Sequence, residues 1–355
     1  TPPRCKPPVG LGANRTLIFF SMGSKDQDYF VKAGGHGCTM QPEIVYSPVK
    51  FFLTIVCLFF CKFLLAQEIT YDNVYVDYDS AVEFKNLRII PIRPKNGFGN
   101  NVPKAISLSQ AIKQGIAIIS ERGTASTENV HFLRINNHSD QTIYISSGEL
   151  ISGGRQDRMI TRDTLLEPNG RDQYVSVMCV EELRWSDKEK KFAYENFANP
   201  ALRKVLDVNK NQVLIWQEIA KQLGESNIPN KSSAYLSRKT DKRMLQLNDE
   251  YFNFFKQKFK NSDSAVVGFV CMSGDKVIGS DIFASKDLFF NQLDPLLIGY
   301  CDQAMYVGKP VTITREEEKI YLDKLLSDKI SQEAFLKDNG KIFRQHGQVI
   351  HINSF

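Results

Sequence analysis

The sequence is short of the features that most directly announce a chemistry. Its 355 residues include five histidines, two tryptophans and seven cysteines. His131 and His138 lie across an expected turn, and His346 and His351 flank Gly347, so no spacing resembles a zinc site. There is no glycine-rich phosphate loop, no nucleophile elbow and no Ser-x-x-Lys set in a suitable place. Internal repeats and low-complexity tracts are absent. No metal and no cofactor is expected.

An excess of one charge is also missing once the first residues are set apart. Residues 1–66 hold 7 Lys+Arg and 3 Asp+Glu, so the whole-chain 45 against 40 becomes 38 against 37. The net +5 belongs mostly to the start of the chain, and nothing is left to argue for a nucleic-acid partner. Cysteines thin out in the same way. Cys5, Cys38, Cys57 and Cys61 fall early, leaving Cys179, Cys271 and Cys301. An odd number implies no disulfide framework, although one bridge stays open. A chain running from Gln67 to Phe355 can bury a core without cross-links.

Long apolar runs are scarce too, with one exception, "VKFFLTIVCLFFCKFLLAQE" from Val49 to Glu68. A lysine, an apolar stretch from Phe51 to Leu65 broken by Lys62, and a small residue at the exit describe a signal peptide over Val49–Ala66. The run is shorter than the roughly 20 residues of a comfortable membrane span. The expectation is an exported protein, periplasmic or extracellular, beginning at Gln67 and without a stable span after cleavage. Residues 1–48, poor in periodicity, read as an upstream or non-native leader.

What is present beyond Gln67 reads as mixed strands and helices. "LRIIPI" from Leu87 is an apolar strand, and "SLSQAIKQG" from Ser107 is a short helix with serine at its start and glycine at its end. "VHFLRINN", "TIYIS" and "QYVSVMCVE" alternate as strands, separated by "HSDQ" and Pro-Asn-Gly turns. Trp216, Ile219 and Leu223 recur at helical spacing, as do Leu245, Phe252, Phe255 and Phe259, with Thr240 as a cap. "AVVGFV" and "KVIGSDIF" make a hairpin across Ser273-Gly274-Asp275. Pro295 marks a kink or break in the next helix, and "TREE" at Thr314 is a capping box. Gly340 closes the last helix, and "VIHIN" ends the chain as a strand. Strands and helices mix without strict alternation, so the fold class is α+β with a largely antiparallel sheet. Residues 67–310 form the main domain, and 311–355 a helical extension ending in a strand.

The chemistry gathers at "GELISGGRQDRMITRDT", Gly148 to Thr164. Gly153 and Gly154 allow a tight bend or a close backbone approach. If the chain then runs extended, Arg155 and Asp157 share one face and Gln156 and Arg158 the other. Guanidinium forks suit carboxylate or phosphate oxygens, and Glu149, Arg162 and Asp163 stand close by. Two interpretations stay open: a site for a small anionic ligand, or a buried polar staple holding strands in register. Cys179 and Glu181 share a strand face. The cysteine lacks a nearby histidine to make it a nucleophile, and Glu181 is placed to meet an arginine of the 155–162 segment or Arg184. Trp185 could stack a base or a sugar, or cap a core edge. Asp281, after a glycine in its strand, is a site carboxylate or a local turn former.

"GELISGGRQDRMITRDTLLEPNG" followed by "VSVMCVEELRW", with the "NNHSD" turn and the "GSDIF" hairpin, resembles the family named for association with ADP-ribosylglycohydrolases (ARG) and rhodanese-phosphatase superfamily proteins. The likeness spans about Leu87 to Ala304. The resemblance implies a link to ADP-ribose and NAD chemistry through the family's name, and no defined reaction. One departure is Leu183, where the pattern has glycine before Arg-Trp. Two functions follow as expectations. The first is a binding module for a small anionic or ADP-ribose-like ligand through Arg155, Gln156, Asp157, Arg158, Arg162, Arg184 and Trp185. The second is a hydrolase with Glu149, Asp157 or Glu181 as acid and base, which needs two carboxylates about 5–10 Å apart facing one cleft. A structural envelope role is the third.

Overall fold

The computed structural model describes residues 67–99, 102–122, 130–183, 186, 190–226, 233–240, 242–261 and 265–355. The expected leader and signal segment, and Arg184 and Trp185, lie outside the described residues.

The apolar stretch from Leu87 organises the larger sheet. Strand β3 (Leu87–Pro94) carries Leu87 and Ile89 to one face and Ile90 and Ile92 to the other, and all four are buried. A strand buried on both faces must be covered on both. It pairs antiparallel with β1 (Val74–Val76), β2 (Val82–Phe84) and β13 (Gly268–Ser273). Strand β14 (Lys276–Phe283) continues the sheet to β16 (Gln348–Ser354) and then β15 (Gly340–Gln345) at its edge. On one face lie α4 (Lys242–Asn261) and α5 (Lys286–Tyr306), through Tyr251, Phe255, Phe259, Phe289 and Leu297. On the other lie α6 (Arg315–Leu325) and α7 (Lys329–Asn339), through Leu322, Leu325 and Leu336.

The middle of the chain builds the second half. A six-stranded sheet has the order β12-β8-β9-β11-β6-β5, formed by Lys190–Phe197, Glu149–Gly154, Arg158–Ile160, Gln173–Cys179, Phe132–Asn137 and Ala117–Glu121 respectively. A three-stranded sheet of β10 (Thr164–Leu166), β7 (Thr142–Ile145) and β4 (Ala105–Ser107) contributes to the same core, with α1 (Leu108–Lys113). Ser107 and Gln110 close α1 with a reciprocal capping box. Helices α2 (Pro200–Asn209) and α3 (Gln212–Glu225) pack Leu202, Leu206, Ile215 and Ile219 onto Leu150 and Met159 of β8 and β9.

The α+β class with mostly antiparallel sheets is the fold seen, and β4 with β7 is the parallel pair among the described strands. Four local expectations are refined. Residues 311–355 are no appended extension, because β15 and β16 hydrogen-bond into the main sheet beside β14. Pro295 does not break its helix: α5 runs continuously through it with the ring buried. Leu245 is exposed while Phe255 and Phe259 are buried, so the α4 stripe is narrower than its spacing suggested. Thr240 ends a 3-10 turn from Tyr235 rather than opening α4 directly.

Candidate functional site

The double glycine does what its sequence demanded. Gly153 and Gly154 take φ of +106° and +53°, and a methyl group at either would overlap neighbours: the Lys191 carbonyl for Gly153, the Phe192 ring and Glu121 carboxylate for Gly154. This close approach of β12 and β5 closes over the residues that follow. Arg155, Gln156, Asp157, Arg158 and Glu181 are all buried. Their bonds run inward. The Arg155 Nη1 donates to the Ser186 carbonyl at 2.9 Å, and its amide to Glu121 Oε1 at 2.8 Å. Gln156 Nε2 donates to the Glu181 carbonyl at 2.9 Å, and the Gly153 amide to Asp157 Oδ1 at 3.0 Å. Arg158 Nη2 lies 3.7 Å from Glu121 Oε1, and its Nη1 donates to Gln156 Oε1. These groups bond to one another in the manner of the polar staple. Glu181 meets the Asp157 amide, at 3.4 Å. Cys179 is buried, with its backbone bonded both ways to the Gln212 amide. Leu183 is exposed.

A second polar cluster was not foreseen as a unit. His351 on β16 sits between two carboxylates: Nδ1 lies 2.9 Å from Asp163 Oδ2 and Nε2 3.1 Å from Asp281 Oδ1. Its ring stacks on Phe283 at 4.3 Å. Asp281 on β14 receives both ends of the Arg203 fork, at 2.9 and 2.6 Å, and the Tyr300 hydroxyl at 2.8 Å. Asp163 also accepts from the Ser147 amide at 2.6 Å and the Ser146 hydroxyl at 3.2 Å. One turn along α2 from Arg203, Asp207 takes Lys341, Asn353 and Ser147 at 2.8–3.0 Å. Asp281 is therefore a partner of Arg203 and His351, not a turn former.

Electrostatics follow from this wiring. Burial pushes both Asp163 and Asp281 up, but His351 and Lys341 hold Asp163, and Arg203 holds Asp281, below the usual carboxylate range. Burial pushes His351 down, and the two aspartates more than reverse it, so the ring holds its proton more strongly than a free imidazole. Glu149 differs. Burial pushes it up to about 8, against hydrogen bonds from the Ser146 amide and Tyr194. Cys271 and Cys301 are pushed up by burial, and all three described cysteines are free thiols. Among the described residues, no group of three or more His, Cys, Asp or Glu is placed to hold a metal ion.

Asp163 and Lys341 bring the cluster to a cleft. This cleft, of about 410 Å³, lies between the segment Arg162–Leu165 with Tyr174 on one side and Lys341, Ile342, Phe343 and Gln345 on the other. Asp163 is its buried floor; Arg162 is exposed in it and has no ion pair among the described residues. Tyr174 is 44% exposed, with the Arg122 guanidinium 4.6 Å from its ring centre. Of the described ligand-binding and acid-base candidates read from the sequence, Arg162 alone lines one of the four main cavities. Arg203, Lys341 and His351 were missed because nothing local marks them; the lone histidine in "VIHIN" was the single available hint.

Among the described residues no helix is long and apolar enough to cross a membrane. No curated protein and no solved structure matches the chain. A family match does exist, over residues 75–350, and it takes in β15 and the first residues of β16 as well as the segment that carries the motifs. The chain thus belongs to the ARG and Rhodanese-Phosphatase-superfamily-associated Protein domain family.

Proposed function

We propose that this protein is an exported binding module for a small anionic ligand, of the size and kind of a nucleotide or ADP-ribose, held in the cleft above Asp163. The observation that carries the proposal is Arg162, a guanidinium without a carboxylate partner among the described residues, on a cleft that also holds Lys341 and an exposed tyrosine ring. A planar fork takes phosphate oxygens bidentately, and Tyr174 offers a face for a base or sugar. The floor carboxylate does not oppose this, because His351 and Lys341 already balance Asp163. Binding without turnover is favoured over hydrolysis. Among the described residues, Glu149, Asp157 and Glu181 are buried and line none of the four main cavities, which gives no support to a carboxylate pair facing one cleft. Export rests on the Val49–Ala66 sequence pattern.

Isothermal titration of the chain from Gln67 with inorganic phosphate, AMP and ADP-ribose tests the reading. At least one of these is expected to bind, more weakly as salt rises, with affinity falling about tenfold or more in Arg162→Ala, the loss of one charge-assisted pair. Absence of binding by all three, or equal affinity in the variant, sinks it.

A further inference from the structure

A second cavity, of about 370 Å³, is bounded by α3, the C-terminal end of α5 and the Ser273–Lys276 turn, and it shares no residue with the cleft. Its back wall is Arg238, whose side chain is 4% exposed. That guanidinium sits over two rings, its carbon 3.9 Å from the centre of the Tyr306 ring and 5.3 Å from that of Tyr235. Nη1 donates to Gln222 Oε1 at 2.6 Å, and Nη2 lies 3.1 Å from Asp302 Oδ2. The buried Nε meets no acceptor. Gln222 in turn donates from Nε2 to Glu218 Oε1 at 2.8 Å, so a carboxylate of 14% exposure is fixed in the wall. Ile278 and Val307 supply apolar lining.

The other lining charges come in both signs. Lys221, Lys276 and Lys309 arise from three different elements, and Glu218, Glu225 and Asp275 stand among them. Such a wall repels neither sign as a whole, yet an anion alone meets the carboxylates and a cation alone meets the lysines. A molecule carrying one ammonium and one carboxylate satisfies both. The Lys221–Glu218 pair, 3.6 Å apart with the lysine 62% exposed, is weakened by water, so a ligand ammonium can take its place on Glu218. A volume in this range suits a ligand of a few residues at most.

We propose that this cavity binds a small zwitterion, a free amino acid or a dipeptide, with its ammonium on Glu218, its carboxylate among the three lysines and its apolar part against Tyr306 and Val307. Arg238 is a positioning residue, holding the Tyr306 ring and, through Gln222, the Glu218 carboxylate.

The test is thermal shift followed by titration calorimetry on the chain from Gln67. The probes are the twenty L-amino acids and the twenty Gly-X dipeptides, with N-acetyl and C-amide forms of each hit, and glucose and trehalose as neutral controls. A binder at about 100 times its dissociation constant is expected to raise the melting temperature by about 5 °C. Blocking either terminus, or making Glu218→Gln or Lys309→Gln, is expected to weaken it about tenfold or more. Arg162→Ala is expected to leave it unchanged, which separates this site from the cleft. Glu218→Gln and Lys309→Gln keep size and lie at the cavity wall, and an unliganded melting temperature within about 2 °C of wild type, as for most changes at such positions, shows that they fold. No shift from any zwitterion, equal binding of the blocked forms, wild-type affinity in both rim variants, or binding of the neutral sugars instead overturns the proposal.

Discussion

The two buried polar clusters use the same residue types to different ends. In the Gly153–Arg158 cluster, the partners Glu121 and Glu181 come from the same six-stranded sheet or the strand end beside it, and the bonds stitch neighbouring segments together. In the His351 cluster, the partners come from β14, β16, α2, α5 and the turn between β9 and β10, so the bonds tie the two halves of the molecule. The first looks like a binding motif and is buried; the second joins Asp163 and Asp281 of the motif segments to residues that no motif marks, and lines a cleft through Asp163 and Lys341. A polar residue's role is thus decided by what the fold lays over it.

The largest expected effect separates the clusters by cost. Asp281→Ala would take from the buried Arg203 guanidinium the carboxylate that receives both ends of its fork, and release one side of His351. Breaking one partner of such a pair costs about 3–5 kcal/mol. In the motif cluster, Glu121→Gln keeps a hydrogen-bond acceptor for the Arg155 amide and weakens one 3.7 Å ion pair, for about 1–2 kcal/mol. Urea midpoints at constant slope measure both. Equal losses would erase the distinction drawn here.

The glycines sharpen the comparison from the other side. At Gly153 the obstruction is backbone, the Lys191 carbonyl of the paired strand, and φ lies outside the left-handed well that other residues tolerate. Gly153→Ala is expected to cost about 2–4 kcal/mol. At Gly154 the obstructing atoms are the ends of the Phe192 and Glu121 side chains, which can give way, and φ lies in the left-handed well. Gly154→Ala is expected to cost about 1–2 kcal/mol. Thermal melts of the pair that reverse this order would show that the bend, not the strand contact, is what glycine serves.

Much of the fold was legible because its cues are local. The serine cap at Ser107, the capping box at Thr314, the Ser273–Asp275 hairpin and the alternation of β6 and β11 each rest on residues a few positions apart. Of the kink and the break that Pro295 suggested, packing excludes the break: α5 runs on through it with the proline buried among the helix's apolar residues. The site was less legible. Arg162 was readable from its motif, but its neighbours Lys341 and Gln345 arrive from the other end of the chain. His351 needs Asp163 and Asp281, separated from it by 188 and 70 positions. No periodicity carries that information; the pairing of β14 with β16 does.

The smallest effect isolates Glu149 by pH. Its folded pKa, raised by burial to about 8 from 4.5, means that the folded state keeps a proton the unfolded chain has lost. Its stabilising contribution is complete below about pH 4.5 and declines as pH rises toward 8. His351 also loses stabilising power as pH rises, because its folded pKa is raised above 6.5, but that loss starts only above 6.5. Asp163 and Asp281, held low, act in the opposite direction and only below about pH 3.8. The window from pH 5.0 to 6.5 therefore belongs to Glu149. Wild type is expected to lose about 2 kcal/mol across it, at about 1.4 kcal/mol per unit. Glu149→Gln, a neutral stand-in for the protonated acid, is expected to be flat there and to fall only above 6.5, where His351 titrates. Urea unfolding at three pH values reads both slopes, and a flat wild type between 5.0 and 6.5 would mean that water reaches Glu149 and that the strand end beside the His351 cluster is open.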